Sequence, residues 1–208
     1  TTETTAQAAR RLAEREGELG AVALNFASAK NPGGGFLGGA KAQEEDLARC
    51  SALYECLLTQ RAYYDANRSL GSALYTDHMI YSPDVPFFRN ERLELLETPF
   101  LVSILTAPAP NAGAVWKNHP EDGPQIRTTL DDRAKKLLAV AADRGHRCLI
   151  LGAWGCGAFH NDPSHVAEAF AVHLASPAFA GAFERVIFPI YERGSERKNL
   201  AAFRERLG

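Results

Sequence analysis

Apolar segments of strand character alternate with amphipathic helical segments along most of the chain, and this alternation restricts the fold more than any other feature. The segments at residues 20–28, 98–110 and 146–155 are short, nearly continuous in apolar character and contain β-branched or aromatic residues. Such runs are typical of strands buried on both faces. The pattern predicts an α/β fold of three layers, in which helices cover both faces of a mixed central sheet.

Turn and capping residues set the predicted boundaries of these elements. Strands are predicted at residues 20–28, 78–83, 98–110, 146–155 and 183–192, the first ending near Asn25 or Phe26. Helices are predicted at residues 1–17, 43–67, 124–145, 161–174 and 195–207. Gly17 and Gly145 stop the first and third helices, and Asn161 or Asp162 caps the fourth.

The composition is that of an ordinary globular protein. The chain has 208 residues, of which 46% are hydrophobic and 23% charged, and we expect a single domain over residues 1–208, acting as a monomer. Because the first residue is Thr1, we expect that an N-terminal element has been trimmed. The formal net charge of -2 argues against direct binding of nucleic acid or of an anionic membrane surface.

The cysteines do not form a metal site or a redox motif. Cys50, Cys56, Cys148 and Cys156 include no C-x-x-C pair, and no histidine stands near them at zinc-ligand spacing. We interpret at least three of them as small buried apolar residues in a reducing compartment, which indicates a cytoplasmic protein without a metal or other cofactor.

Two glycine loops follow predicted strands, at residues 33–39 and 152–159. Ligands of open α/β sheets bind outside the carboxyl ends of the strands, and consecutive glycine N–H groups form concavities for phosphate. Two such loops predict a ligand whose diphosphate is held between them, whereas tight turns alone are the simpler alternative. The first loop also satisfies G-x-G-x-x-G, but extra residues separate it from the strand, which disfavours a dinucleotide-binding fingerprint.

Adjacent glutamates, Glu44 and Glu45, open the helix that follows the first loop. Neighbouring helical residues point in different directions, so if the ligand is a glycoside-like nucleotide sugar, one carboxyl can hold a sugar hydroxyl while the other reaches the glycosidic bond. Burial beside a second carboxylate raises the proton affinity of a glutamate carboxyl group, which suits a general acid near neutral pH. The alternative is a pair of helix N-terminal acids, with Glu45 bound to Arg49 one turn later.

The stretch GGGFLGGAKAQEE, in which seven residues separate three glycines from Gln-Glu-Glu, resembles the signature of the poly(ADP-ribose) glycohydrolases, a catalytic branch of the macrodomain fold. The later stretch GAWGCGAF is similar to the diphosphate-binding loop of that family. The resemblance implies a compact bacterial-type enzyme with a macrodomain-like fold. Its expected partners are poly(ADP-ribose), ADP-ribose and ADP-ribosylated proteins, and it is expected to trim chain ends better than to cut internally.

The resemblance also implies roles for individual residues. Glu45 would protonate the leaving oxygen of the ribose–ribose bond and then activate water, while Glu44 would hold the ribose hydroxyls. Gln43 would shape the site, and Phe159 would pack against the distal ribose. The backbone ligands of the substrate would be Gly33, Gly34, Gly35, Gly155, Cys156, Gly157 and Ala158.

Several alternatives stay open at the level of sequence. The same cleft would also suit a hydrolase of single ADP-ribose groups on protein or nucleic acid, or an ADP-ribose reader without catalysis. Cys156 has His160 nearby as a base for nucleophilic chemistry. Thr2–Thr5 would suit an acidic-and-threonine turn near the adenine, and Tyr191 is a core aromatic or a residue near the base.

Overall fold

A five-stranded sheet forms the centre of the computed structural model, which describes residues 1–15, 20–192 and 195–208. The strands are β1 (Val22–Phe26), β2 (Ile80–Arg89), β3 (Leu95–Ala107), β4 (Cys148–Ile150) and β5 (Arg185–Ile187). Their order in the sheet is β2-β3-β1-β4-β5. Three neighbouring pairs are parallel and the β2–β3 pair is antiparallel, so the sheet is mixed, as predicted.

Helices cover both faces of this sheet. They are α1 (Thr5–Arg15), α2 (Gln43–Cys50), α3 (Leu53–Leu58), α4 (Arg61–Leu70), α5 (Ala112–Asn118), α6 (Gln125–Asp143), α7 (Pro163–Leu174) and α8 (Lys198–Leu207). Successive strand residues point to opposite faces: Val22 and Leu24 join the apolar cluster of α5–α8, whereas Ala23 joins that of α1–α4. The predicted three-layer α/β fold is confirmed.

The prediction of one helix over residues 43–67 is wrong, because α2, α3 and α4 share that segment. At Ser51 the backbone is extended, with φ -140° and ψ 176°, and bridges to Phe87 of β2. Ser51 Oγ meanwhile donates to Leu47 O, 2.7 Å away. Pairing with the edge of the sheet therefore replaces the next turn of helix.

Other boundaries differ in smaller ways. β4 and β5 each have only three residues and are shorter than predicted. Helix α5 was not predicted at all, and its N-cap is Asn111, whose side chain accepts from Ala114 N. Asp162, rather than Asn161, caps α7. The predicted stop at Gly17 lies outside the described residues.

The sheet topology brings the two glycine loops together. β1 is the central strand and pairs with both β3 and β4 in parallel, so the carboxyl ends of these strands share one edge of the sheet. The first glycine loop (residues 33–39) follows β1 and the second (residues 152–159) follows β4. Within the described ranges, no helix combines the length and apolar character that a membrane crossing requires.

Candidate functional site

A cleft of about 780 Å³ lies at this edge of the sheet, between the two glycine loops. The start of α2 and the second loop form its walls, and the first turn of α1 and the segment after β5 extend it. Of the residues singled out from the sequence, the cleft contacts Gly34, Gln43, Glu44, Glu45, Gly155, Gly157, Ala158 and Phe159. Gly33, Gly35 and Cys156 belong to the same loops but do not line it.

Gln43 fixes the start of α2 against the end of β1. Its side-chain oxygen accepts from Phe26 N at 2.8 Å, and its Nε2 donates to Leu24 O at 2.8 Å and to Thr5 Oγ1 at 3.0 Å. All of these contacts are made with the protein itself. The next two residues, Glu44 and Glu45, are thereby placed at the carboxyl end of the central strand.

Glu44 lies at the floor of the cleft and is only 3% exposed. One oxygen accepts from Ser28 N at 2.6 Å, and the other accepts from Asn25 Nδ2 at 3.3 Å. Burial, with a smaller contribution from the neighbouring Glu45 carboxylate, raises the pKa of Glu44 to about 8, although these hydrogen bonds favour the charged form. At neutral pH the Glu44 carboxyl is therefore mostly protonated.

Glu45 is also buried, at 7% exposure, and lies against the backbone of the first glycine loop. Its Oε1 accepts from Gly35 N at 2.8 Å and its Oε2 from Ala42 N at 2.9 Å. A Cβ on Gly34 would lie 2.4 Å from Glu45 Oε1 and 3.0 Å from Glu44 Oε2, and Gly34 has φ 60°. Only glycine allows the backbone to pass this closely over both carboxylates.

The alternative that pairs Glu45 with Arg49 is not observed. The Arg49 guanidinium instead donates to Ala40 O and lies 5.8 Å from the centre of the Phe36 ring. Both groups belong to the first glycine loop and its immediate continuation. Arg49 thus holds the loop in place, and in the described part of the chain the Glu45 carboxylate accepts hydrogen bonds from the backbone N–H groups of Gly35 and Ala42.

The two glycine loops differ in the N–H groups that they offer to a ligand. In the first loop Gly34 N donates to Asn31 O at 3.0 Å, and Gly35 N is bound to Glu45. In the second loop, no acceptor in the described part of the chain takes up the N–H groups of Gly157, Ala158 or Phe159. Unpaired donors suitable for a diphosphate are therefore concentrated in the second loop.

Two buried side chains, Trp154 and Asn161, hold the second loop. Trp154 is 1% exposed and donates from its indole nitrogen to Ala107 O at 3.0 Å. Asn161 donates from Nδ2 to Pro110 O at 2.8 Å and to Gly155 O at 3.1 Å. An Asn two residues after the glycine loop is the available signal, although the sequence alone predicts a helix cap there.

The second loop is not arranged for cysteine nucleophilic chemistry. Burial, with smaller contributions from nearby Asp162 and Glu192, raises the pKa of the Cys156 thiol to about 12, so the thiolate is scarce at neutral pH. His160 is exposed and adopts a left-handed conformation with φ 57°. Over the described ranges, no group of three His, Cys, Asp or Glu side chains is arranged to hold a metal ion.

The far end of the cleft is formed by the chain start and the segment after β5. Ile190 N donates to Thr1 O at 2.9 Å, and this pairing places Thr4 and Thr5 beside the cleft. Tyr191 also lines the cleft and is 56% exposed. The interpretation of Tyr191 as a core aromatic is therefore wrong.

Asn25 is a further polar residue that contacts Glu44, and the sequence alone predicts no such role for it. It is fully buried at the end of β1 and donates to Glu44 and, at 3.2 Å, to Thr106 Oγ1 of β3. Its position as a polar residue at the carboxyl end of an apolar strand was the signal that could have identified it. It links the central strands to the floor of the cleft.

Comparison with known proteins gives consistent matches. The family model described as microbial-type PARG, catalytic domain, matches residues 1–90; PARG denotes poly(ADP-ribose) glycohydrolase. The structure of PARG from Deinococcus radiodurans in complex with ADP-ribose is 55% identical, with a TM-score of 0.94 over 100% of this chain and 82% of that one. A search among curated proteins finds no match.

Structures of PARG from Thermomonospora curvata give similar values. One is 46% identical with a TM-score of 0.92, covering 99% of this chain and 75% of that one. Another, bound to the inhibitor ADP-HPD, is 48% identical with a TM-score of 0.93, covering 100% of this chain and 77% of that one.

The mixed sheet and its cleft define a macrodomain-like α/β protein with a carboxylate pair in that cleft. At these levels of identity and coverage, the chain belongs to the microbial-type poly(ADP-ribose) glycohydrolases, which are glycosidase-type hydrolases. The resemblance inferred from the Gly-Gly-Gly and Gln-Glu-Glu motif is thereby confirmed.

Proposed function

We propose that this chain hydrolyses the ribose–ribose O-glycosidic bonds of poly(ADP-ribose) and releases ADP-ribose. The proposal rests chiefly on the placement of Glu44 and Glu45 beneath the first glycine loop, in the same cleft as the unpaired N–H groups of the second. Cleavage of a glycosidic bond needs a carboxyl group at the leaving oxygen, and a diphosphate needs hydrogen-bond donors. Relatives solved with ADP-ribose and with ADP-HPD support this ligand class.

Glu45 is proposed as the general acid and base. Its proton passes to the leaving ribose oxygen as the bond from that oxygen to the anomeric carbon breaks, which leaves an oxocarbenium-like centre. The resulting carboxylate then takes a proton from water as the water oxygen bonds to that carbon. One glutamate acting twice, with the phosphate of the substrate assisting, replaces the two separate carboxylates of most glycosidases.

Glu44 is proposed to hold the ribose hydroxyls. Because burial raises the pKa of Glu44 to about 8, its carboxyl carries a proton at neutral pH that a hydroxyl oxygen of the sugar can accept. The bonds from Ser28 N and Asn25 fix the orientation of the carboxyl group. Gln43 serves this arrangement indirectly, since it fixes the helix that carries both glutamates.

The second loop is proposed to bind the diphosphate. The N–H groups of Gly157, Ala158 and Phe159 are the donors best suited to it, and Gly155 and Cys156 complete the turn. Gly33, Gly34 and Gly35 are proposed as backbone ligands of the substrate, and in this structure Gly35 N also donates to Glu45. Phe159 is proposed to pack on the distal ribose and to exclude water. ADP-ribosylated proteins are the proposed carriers of the polymer.

The test is to compare purified poly(ADP-ribose) with protein that carries single ADP-ribose groups as substrates, following free ADP-ribose by chromatography. We expect release from the polymer, with the last protein-linked unit left in place. Release from the singly modified protein alone would overturn the assignment of the linkage. Binding of ADP-ribose without release from either substrate would make the chain a reader.

A further inference from the structure

The turn between α4 and β2 is tied to the rest of the molecule by a buried arginine. Arg133 of α6 is 1% exposed, and its Nε donates to Asp77 Oδ1 at 2.9 Å. Its Nη1 donates to Pro108 O at 2.8 Å, and its Nη2 donates to the carbonyl oxygens of Leu74 and Tyr75 at 3.1 and 3.2 Å. A buried guanidinium is tolerated only when its donors are satisfied, so Arg133 specifies the path of this turn.

Tyr75 occupies a conformation that aromatic residues rarely adopt. Its φ is 62°, in the left-handed region, where the Cβ crowds the backbone. Such a conformation persists only where the surroundings over-determine it, and it often accompanies a functional constraint. Here the bond from Arg133 to the Tyr75 carbonyl and the turn bond from Tyr75 N to Ser72 O hold the strained residue.

The Tyr75 ring contacts Phe159 of the second glycine loop. The two ring centres are 6.0 Å apart and the planes are inclined by 48°, an arrangement favourable for aromatic pairs. The backbone of Phe159 is held from another direction, since its carbonyl accepts from Gly113 N of α5 at 3.0 Å. The same turn supports α5, because Asn111 N donates to Ala73 O at 2.8 Å.

We propose that Tyr75 is a positioning residue, which fixes the Phe159 ring as a wall of the cleft. The backbone strain at Tyr75 places its ring behind Phe159, and Arg133 maintains that strain. The inference rests on the proposed function in one respect, namely that Phe159 faces the distal ribose. Without Tyr75, the Phe159 ring is no longer fixed and the ribose is less well aligned with Glu45. Small misplacements of reacting groups slow catalysis strongly.

Three substitutions separate this role from simple packing. Tyr75→Phe keeps the ring, whereas Tyr75→Ala and Tyr75→Gly both remove it. Glycine accepts the left-handed conformation and alanine does not, so we expect the glycine variant to melt at a higher temperature than the alanine variant. We expect both to lose kcat on poly(ADP-ribose) by about tenfold or more, with a smaller change in KM, and Tyr75→Phe to stay within about twofold of the parent.

The proposal is overturned if kcat follows the melting temperature across the three variants, or if Tyr75→Gly keeps the parental kcat. A crystal structure of Tyr75→Gly provides a readout independent of turnover. We expect its Phe159 ring to be displaced or to occupy several conformers, and an unchanged ring would also contradict the inference. If the parent releases no ADP-ribose, the proposed function fails by itself, and this crystal structure still decides the role of Tyr75.

Discussion

At the scale of single residues, the glycines beside the glutamates have a physical reason. The backbone at Gly34 passes so close to both carboxylates that an added Cβ would contact each of them, and the N–H of Gly35 binds Glu45 directly. The sequence motif predicted a phosphate cradle in both loops. The geometry indicates different roles for the two loops. The first loop contacts the glutamate carboxylates, and the second presents backbone N–H groups without an acceptor among the described residues.

The first prediction concerns Gly34→Ala. The new Cβ would lie 2.4 Å from Glu45 Oε1, at a residue with φ 60°, so the loop or the carboxylate must move. We expect kcat on poly(ADP-ribose) to fall by about a hundredfold. Gly38→Ala is the matched control, because a Cβ there meets nothing within 4 Å and kcat should stay near parental. Parental turnover by Gly34→Ala would contradict this account of the loop.

The second prediction concerns the pH dependence of folding. The folded protein keeps the Glu44 proton up to a pKa of about 8, while the unfolded chain loses it near the ordinary value of 4.5. Between these two pKa values the folded state binds more protons at Glu44 than the unfolded chain does. The free energy of unfolding of the parent therefore falls as the pH rises through this window. We expect the unfolding free energy of Glu44→Gln, relative to the parent, to rise between about pH 4.5 and 8. Urea unfolding of both proteins at several pH values measures this difference in unfolding free energy. A difference that stays constant with pH would contradict the raised pKa of Glu44.

At the scale of elements, local signals predicted the start of α2 but not its end. Gln43 opens the helix as expected, because the glycine loop before it cannot continue as helix. The break at Ser51 depends on Phe87, which is distant in sequence. Helix α5 was likewise missed, since its glycine disfavours a helix locally while contacts with Phe159 and Ala73 support it.

The third prediction concerns the segment between the second loop and α7. Asn161→Ala removes the bonds to Pro110 O and Gly155 O, and we expect a stability loss of about 1–3 kcal/mol and roughly tenfold weaker binding of ADP-ribose. Asp162→Ala removes only the cap of α7, at a cost of about 1 kcal/mol, and should leave binding unchanged. Calorimetry measures ADP-ribose binding by both variants, and thermal unfolding measures their stability. Equal losses of ADP-ribose binding in the two variants would show that Asn161 has no specific role in holding the second loop.

At the scale of the whole molecule, the sequence predicted the layers and the edge of the sheet at which the cleft lies. The strongly apolar strand segments predicted the three layers, and the glycine loops that follow two of these segments predicted where the cleft lies. The strand order, which makes β1 and β4 neighbours, has no local signal and depends on long-range pairing. For the same reason, the long-range contacts that the buried Asn25, Arg133 and Asn161 side chains make become visible only in the folded chain.

The most direct test of the central claim is to compare the parent with Glu45→Gln, measuring ADP-ribose release from poly(ADP-ribose) and, by calorimetry, ADP-ribose binding. The substitution keeps the size of the side chain and removes the transferable proton. Glu55→Gln, at an exposed position on α3, is the matched control. We expect Glu45→Gln to bind ADP-ribose and to turn over at least about a hundredfold more slowly, whereas near-parental release by a folded Glu45→Gln would contradict its role as acid and base.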